Sequence, residues 1–150
     1  MNDTLLPQSW TPRALGALRI VAGYLFMAHG TTKLFQLPYI EMFANVPLAS
    51  LAGAAGVLEV VGGAALVLGL FTRPVAFVLS GLMAFAYFIA HAPQGNALLP
   101  ILNGGELAAL YSFVFLFIAA AGSGSWSFDN LRKRAPDAVS ADDARLEGVR

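Results

Sequence analysis

Four apolar stretches alternate with polar or proline-bearing segments along the 150 residues. Each approaches the roughly 20 residues that a helix needs to cross the hydrocarbon core of a bilayer. The pattern predicts helices over 14–35, 51–71, 74–91 and 105–121. Pro74 suits a first helical turn, where its missing N–H has no partner to lose. The connections 36–50 and 92–104 carry Pro38, Pro47, Pro93 and Pro100 and read as turns or interfacial loops. Thr72-Arg73-Pro74 is barely long enough to turn, so the second and third helices are expected to be antiparallel neighbours. The first stretch is too long for the apolar region of a signal peptide and no small-residue cleavage site follows it, so it reads as a span.

Composition sharpens this picture. The chain is 57% hydrophobic and 12% charged with a mean hydropathy of +0.67, far from soluble usage. The expected fold class is all-α, an integral-membrane four-helix bundle. Arg13, Arg73 and the Arg132-Lys133-Arg134 cluster fall on one side, while the opposite loops have neither Lys nor Arg. The bias places both termini in the cytoplasm and the chain in a membrane as a multi-pass protein. The expected division is a cytoplasmic segment 1–12, a four-span domain 13–128 and a polar cytoplasmic tail 129–150. Residues 136–150 read as disordered or weakly helical. Net charge is zero and no basic run is interleaved with aromatics, which argues against a nucleic-acid partner. With no cysteine, disulfides, thiolate zinc sites and thiol nucleophiles are excluded.

Polar residues inside the spans carry the remaining information, because an ionisable side chain facing lipid is costly and belongs in the bundle interior. Gly16, Arg19, Gly23, Phe26, Gly30 and Lys33 form one helical stripe with His29 on its flank, and Ala52, Gly56, Glu59 and Gly63 form another. Small residues in such stripes allow close helix contact. Counted along the helices from their outer ends at ~1.5 Å per residue, Glu59 is ~12 Å deep, His29 ~9 Å and Arg19 ~24 Å. Glu59 is therefore expected to meet His29, at the floor of an outer-half cluster with Lys33, His91, Asn103 and Glu106 at its mouth. Arg19 is expected to snorkel toward the cytoplasmic interface, with Asp129 as counter-ion.

Glu59 admits two readings: a polar contact that only fixes helix register, or half of a proton-exchanging pair with His29 that hydrogen-bonds a quinone head group. His29 and His91 as axial haem ligands, or a zinc site including Glu59 and Glu106, are disfavoured by unequal depths and spacing, so no bound metal or haem is expected. Tyr24, Tyr87 and Tyr111 read as packing residues, and Trp126 with Phe128 as a headgroup anchor. The glycines inside the spans match no phosphate-cradling loop. Asn103-Gly104-Gly105-Glu106 breaks the chain before the last helix and puts a carboxylate where the helix dipole favours it. No span has the mid-helix proline-glycine break of a transport site.

HGTTKL at His29–Leu34, LEVVGGAALVLGLFTR at Leu58–Arg73, NGGELAALY from Asn103 and GSGSWSFD up to Asp129 together resemble the DoxX family of bacterial inner-membrane proteins. The resemblance implies a four-helix membrane bundle associated with thiosulfate-to-quinone oxidoreductases and with oxidoreductase complexes of oxidative-stress defence. It implies that the polar positions recurring in the family pattern correspond here to Arg19, Lys33, Glu59, Asn103, Glu106 and Asp129. The absence of cysteine speaks against a thiol relay here. The expectation is a plasma-membrane oxidoreductase subunit with catalytic His29 and Glu59, and with a quinone held by Lys33, His91, Asn103 and Glu106. The other reading is a non-catalytic scaffold that recruits soluble redox proteins. The lipid bilayer, such redox proteins and further copies of the chain are the partners considered.

Overall fold

Ser50 and Gly69 bracket a strongly apolar segment of the chain and set the limits of its helix. The Ser50 hydroxyl accepts from Gly53 N at 3.1 Å, an N-cap that satisfies a first-turn donor. At the other end Gly69 adopts φ 69°, with Gly69 N bonded to Leu66 O at 3.1 Å and Leu70 N to Ala65 O at 2.9 Å. That pair of bonds is the Schellman arrangement, which favours glycine in the left-handed position. The computed structural model describes residues 7–132, and every regular element among them is helical.

In chain order the α-helices are α1 (Thr11–Phe35), α2 (Leu51–Leu68), α3 (Thr72–Ala86), the single turn α4 (Pro100–Asn103) and α5 (Glu106–Ala121), with short 3₁₀ turns at Gln8–Trp10 and Glu41–Phe43. The second helix stops at Leu68 rather than 71 because of Gly69, so the tight turn is 69–71, and Pro74 falls in the first turn of α3 as expected. The third helix departs from a uniform α-helix: Tyr87–His91 is π-helical, followed by a 3₁₀ turn at Ala92–Gln94.

Helix α1 packs along α2 and α3 along α5, with α2–α3 and α1–α5 contacts joining the two pairs. Glycines explain how closely α1 and α2 approach. A Cβ on Gly23 would lie 2.9 Å from Gly63 O, and one on Gly30 2.7 Å from Gly56 O; no larger residue fits without moving a backbone. The expected stripes are largely observed, with Gly53 replacing Ala52 on the buried face of α2. Between α1 and α5, Phe26 and Phe115 meet edge-on with centroids 4.9 Å apart, and Tyr111 stacks on Phe115 at 5.3 Å. Leu66, Leu79 and Ile118 complete this core.

Burial is inverted relative to a soluble protein. Arg19 and Glu59 are 0% and 2% exposed, whereas Phe113, Phe77 and Val61 are 71%, 66% and 64% exposed. In water that distribution would be strongly unfavourable; in lipid it is the favourable one. Leu51–Leu68 and the continuous run Thr72–Gln94 are long and apolar enough to cross a membrane, and Glu106–Ala121 is apolar but shorter. The 25-residue α1 carries Arg13, Arg19 and Lys33.

Candidate functional site

At one end of the helices, Lys33 and Glu59 form an ion pair, Nζ to Oε1 at 2.5 Å, with side chains 14% and 3% exposed. Glu59 thus turns inward against α1 as expected, but its partner is Lys33 rather than His29. The reason is the direction of the side chains. In every α-helix the Cα–Cβ bond leans toward that helix's own N-terminus. Because α1 and α2 run antiparallel, Lys33 leans down into the structure while Glu59 leans up, and their charged ends converge although their Cα atoms lie at different depths.

The second carboxylate oxygen, Glu59 Oε2, is buried and has no hydrogen-bond partner among the described residues. Lys33 Nζ also lies 5.5 Å from the ring centroid of Phe43, so an aromatic face covers the ammonium from the 36–50 connection. His29 is half-buried one turn deeper than Lys33, close enough to feel its charge, and makes no hydrogen bond among the described residues.

A second group gathers His91 and Asn103 where α3 meets α4. His91 Nδ1 lies 3.3 Å from Asn103 O, and the His91 and Tyr87 rings are stacked with centroids 6.4 Å apart. The buried Asn103 amide donates to Tyr87 Oη at 3.3 Å and Asn96 O at 3.1 Å and accepts from Gly105 N at 2.9 Å. Tyr87 Oη in turn donates to Ala97 O at 2.7 Å. Asn103 therefore braces the break before α5, with Gly104 at φ 67°. Glu106 stands exposed in the first turn of α5. No hydrogen bond or ion pair links this group to Lys33–Glu59 among the described residues.

The opposite end is held by charges at helix termini. The wholly buried Arg19 donates to Val67 O at 2.9 Å, Ser123 O at 2.8 Å, Ser125 O at 3.2 Å and Trp126 O at 2.8 Å, and also to Leu66 O. It leans toward this end as expected but does not reach water; it closes the last turn of α2 onto the segment after α5. Arg73 donates to Ala120 O at 2.8 Å at the end of α5. Asp129, electrostatically coupled to Arg19, accepts from Phe71 N at 2.9 Å and Thr72 N at 2.8 Å at the start of α3. Cations thus sit at helix C-termini and an anion at an N-terminus, as the exposed backbone groups and the helix dipole require. Residues 129–131 are hydrogen-bonded into this end and Arg132 lies over the Phe71 ring, whereas the segment 136–150 lies outside the described residues.

Phe43 was not among the sequence candidates, because nothing in a proline-flanked loop marks which aromatic will fold over a cation. Arg73 counted there only toward topology; its position directly after a helix-ending glycine turn is the signal that would have found its capping role.

The described residues are all-helical, with two helices long and apolar enough to cross a membrane. A family model described as DoxX matches residues 14–92. A protein of Haemophilus influenzae described as uncharacterized is 46% identical over 125 residues, covering 82% of this chain and 93% of that protein. The chain belongs to the DoxX family. No solved structure matches it.

Proposed function

We propose that the chain is a multi-pass subunit of an oxidoreductase system in the bacterial plasma membrane. In this reading α1, α2, α3 and α5 form a four-helix bundle with both termini cytoplasmic, and the Lys33–Glu59 end lies in the outer half of the bilayer. The topology rests on charge: Arg13, Arg73 and Arg132 share the end where α1 begins and α5 finishes, and the loops at the other end lack Lys and Arg.

The site reading rests on one observation above all, the buried and unpartnered Glu59 Oε2 beside a cation. An unsatisfied buried oxygen costs about 1–3 kcal/mol, a deficit that a ligand hydroxyl removes. A quinone or quinol head group fits this donor set, because Lys33 offers a cationic donor to a ring oxygen and Glu59 Oε2 an acceptor to a ring hydroxyl. When bound, such a group supplies a bilayer-soluble two-electron carrier. Lys33 orients the head group, Glu59 exchanges a proton at Oε2, and His29, one turn deeper with its imidazole unbonded, relays it. His91, Asn103 and Glu106 frame the outer approach.

Membranes carrying Glu59→Gln should lose quinone-dependent turnover while the protein still elutes as a folded species. Turnover equal to wild type, at equal folded amount, removes the proposed proton role.

A second reading, a non-catalytic scaffold for soluble redox proteins, is favoured by a cleft of about 520 Å³ at the Arg19 end, lined in part by Val67, Trp126, Phe128 and Leu131. Trp126→Ser with Leu131→Ser should then release a co-purifying redox protein without affecting quinone binding; undiminished co-purification rejects the scaffold.

A further inference from the structure

The two connections at the Lys33 end are unusually apolar for loops. Leu98 and Met42 are 88% and 82% exposed, the highest values among the large apolar side chains of the described residues, and Leu37, Leu48, Ile101 and Leu102 are exposed beside them in sequence. Loops bathed in water are ordinarily polar. These carry no Lys or Arg, whereas the opposite end presents Arg13, Arg73 and Arg132.

Part of their backbone is paired within the loops as well. Phe43 N bonds Ile40 O, Ala44 N bonds Glu41 O, Ser50 N bonds Pro47 O, Leu99 N bonds Asn96 O and Leu102 N bonds Leu99 O, all between 2.9 and 3.1 Å. Leu98 N bonds the Asn96 side chain at 2.9 Å. Four further positions, Pro38, Pro47, Pro93 and Pro100, have no N–H to satisfy. Internal pairing of this kind is what a segment needs where water is scarce.

Helix length supplies the reason. At ~1.5 Å per residue, the 18 residues of α2 and the 16 of α5 rise only ~27 and ~24 Å, short of the ~30 Å hydrocarbon core. With the arginines fixing one end at its interface, the other ends of α2 and α5 fall short of the opposite interface, and the loops 36–50 and 92–104 descend to them from the longer α1 and the Thr72–Gln94 run. The apolar belt of the spans then continues into the loops, broken by the exposed Glu41, Asn45, Gln94 and Asn96.

We infer that the connections 36–50 and 92–104 are immersed in the outer leaflet, their exposed side chains seated in lipid at the headgroup boundary, so that the Lys33–Glu59 pair is approached from the membrane phase and not from the aqueous side. Phe43, packed over Lys33 from the first of these loops, forms part of the lid that lies in lipid. The inference extends the membrane placement and does not require that a quinone bind.

The absence of cysteine allows single-site labelling of the whole chain. Met42→Cys, Leu98→Cys and the mid-span controls Val61→Cys and Phe113→Cys are each labelled with a small fluorophore and placed in nanodiscs of zwitterionic and anionic phospholipid. Quenching is compared for lipids spin-labelled near the headgroup, lipids spin-labelled near the chain end, and aqueous iodide. Labels at 42 and 98 should be quenched by the headgroup-proximal lipid at least about twofold more than by iodide, the depth of an interfacial segment being about 5–10 Å. The control labels should respond most to the chain-end lipid. Strong iodide quenching at 42 and 98 with lipid-quenched controls overturns the immersion alone. Protection of 42 and 98 from all three quenchers means a protein surface, such as a second copy, covers the loops, and this also overturns it. Iodide quenching of the controls overturns the spans and the immersion together.

Discussion

Replacing Lys33 by methionine should cost more than neutralising Glu59, although both changes delete the same ion pair. The asymmetry follows from burial: the Glu59 side chain is 3% exposed and that of Lys33 14%. Lys33→Met leaves Glu59 with two unpartnered oxygens in place of one, and stripping the partner from a buried charge costs about 3–5 kcal/mol. Glu59→Gln keeps an oxygen that accepts from Lys33, whose ammonium still has the face of Phe43 and a path toward the interface, so a cost of about 1–2 kcal/mol is expected. Lys33→Met with Glu59→Gln removes both charges and should recover much of the loss, giving a coupling of at least about 2 kcal/mol. Unfolding by sodium dodecyl sulfate in mixed micelles, followed by circular dichroism and tryptophan fluorescence, measures all four corners of the cycle. Additivity of the single and double variants within about 0.5 kcal/mol would refute the pair.

Three further outcomes follow from the same contacts. Arg19→Lys retains the charge but replaces a five-donor fork by three donors, leaving buried carbonyls unpaired; a loss of about 2–4 kcal/mol in the same micellar unfolding is expected, and wild-type stability would show that the carbonyl contacts are not made. Gly63→Leu should destabilise by about 1–3 kcal/mol or more through the clash with Gly23 O, 2.7 Å from the added Cβ, whereas Gly81→Leu, which meets nothing within 4 Å, should be neutral to stabilising by up to about 1 kcal/mol; equal effects in thermal melts contradict the α1–α2 contact. Asp129→Ala should cost about 1–2 kcal/mol by uncapping α3, with Asp129→Asn losing roughly half as much because it keeps one acceptor oxygen; a silent Asp129→Ala denies the cap.

Periodicity made the α1 and α2 interfaces legible before any coordinates: the Gly16, Arg19, Gly23, Phe26, Gly30 face and the inward turn of Glu59 follow from 3.6 residues per turn in a lipid solvent. The partner of Glu59 was not legible from Cα depth alone, since a lysine spans about one helical turn and antiparallel helices tilt their side chains toward each other. Nor was the capping by Arg19, Arg73 and Asp129, because it depends on residues 123–129 folding back beneath α2 and α3, a tertiary event with no local periodic signal. The π-helical turn at Tyr87–His91 was likewise invisible, as its sequence fits an ordinary helix and the insertion is accommodated by packing against Asn103.

Glu59 Oε2 is the proposed acceptor for a ligand head group. Purified wild-type protein and Glu59→Gln, each in nanodiscs, are titrated with a short-chain quinol and binding is read by calorimetry. Loss of a hydrogen bond to a charged oxygen, about 1.5–3 kcal/mol, corresponds to binding weakened by about tenfold or more. Equal affinities, or no binding to the folded wild-type protein, would contradict the site.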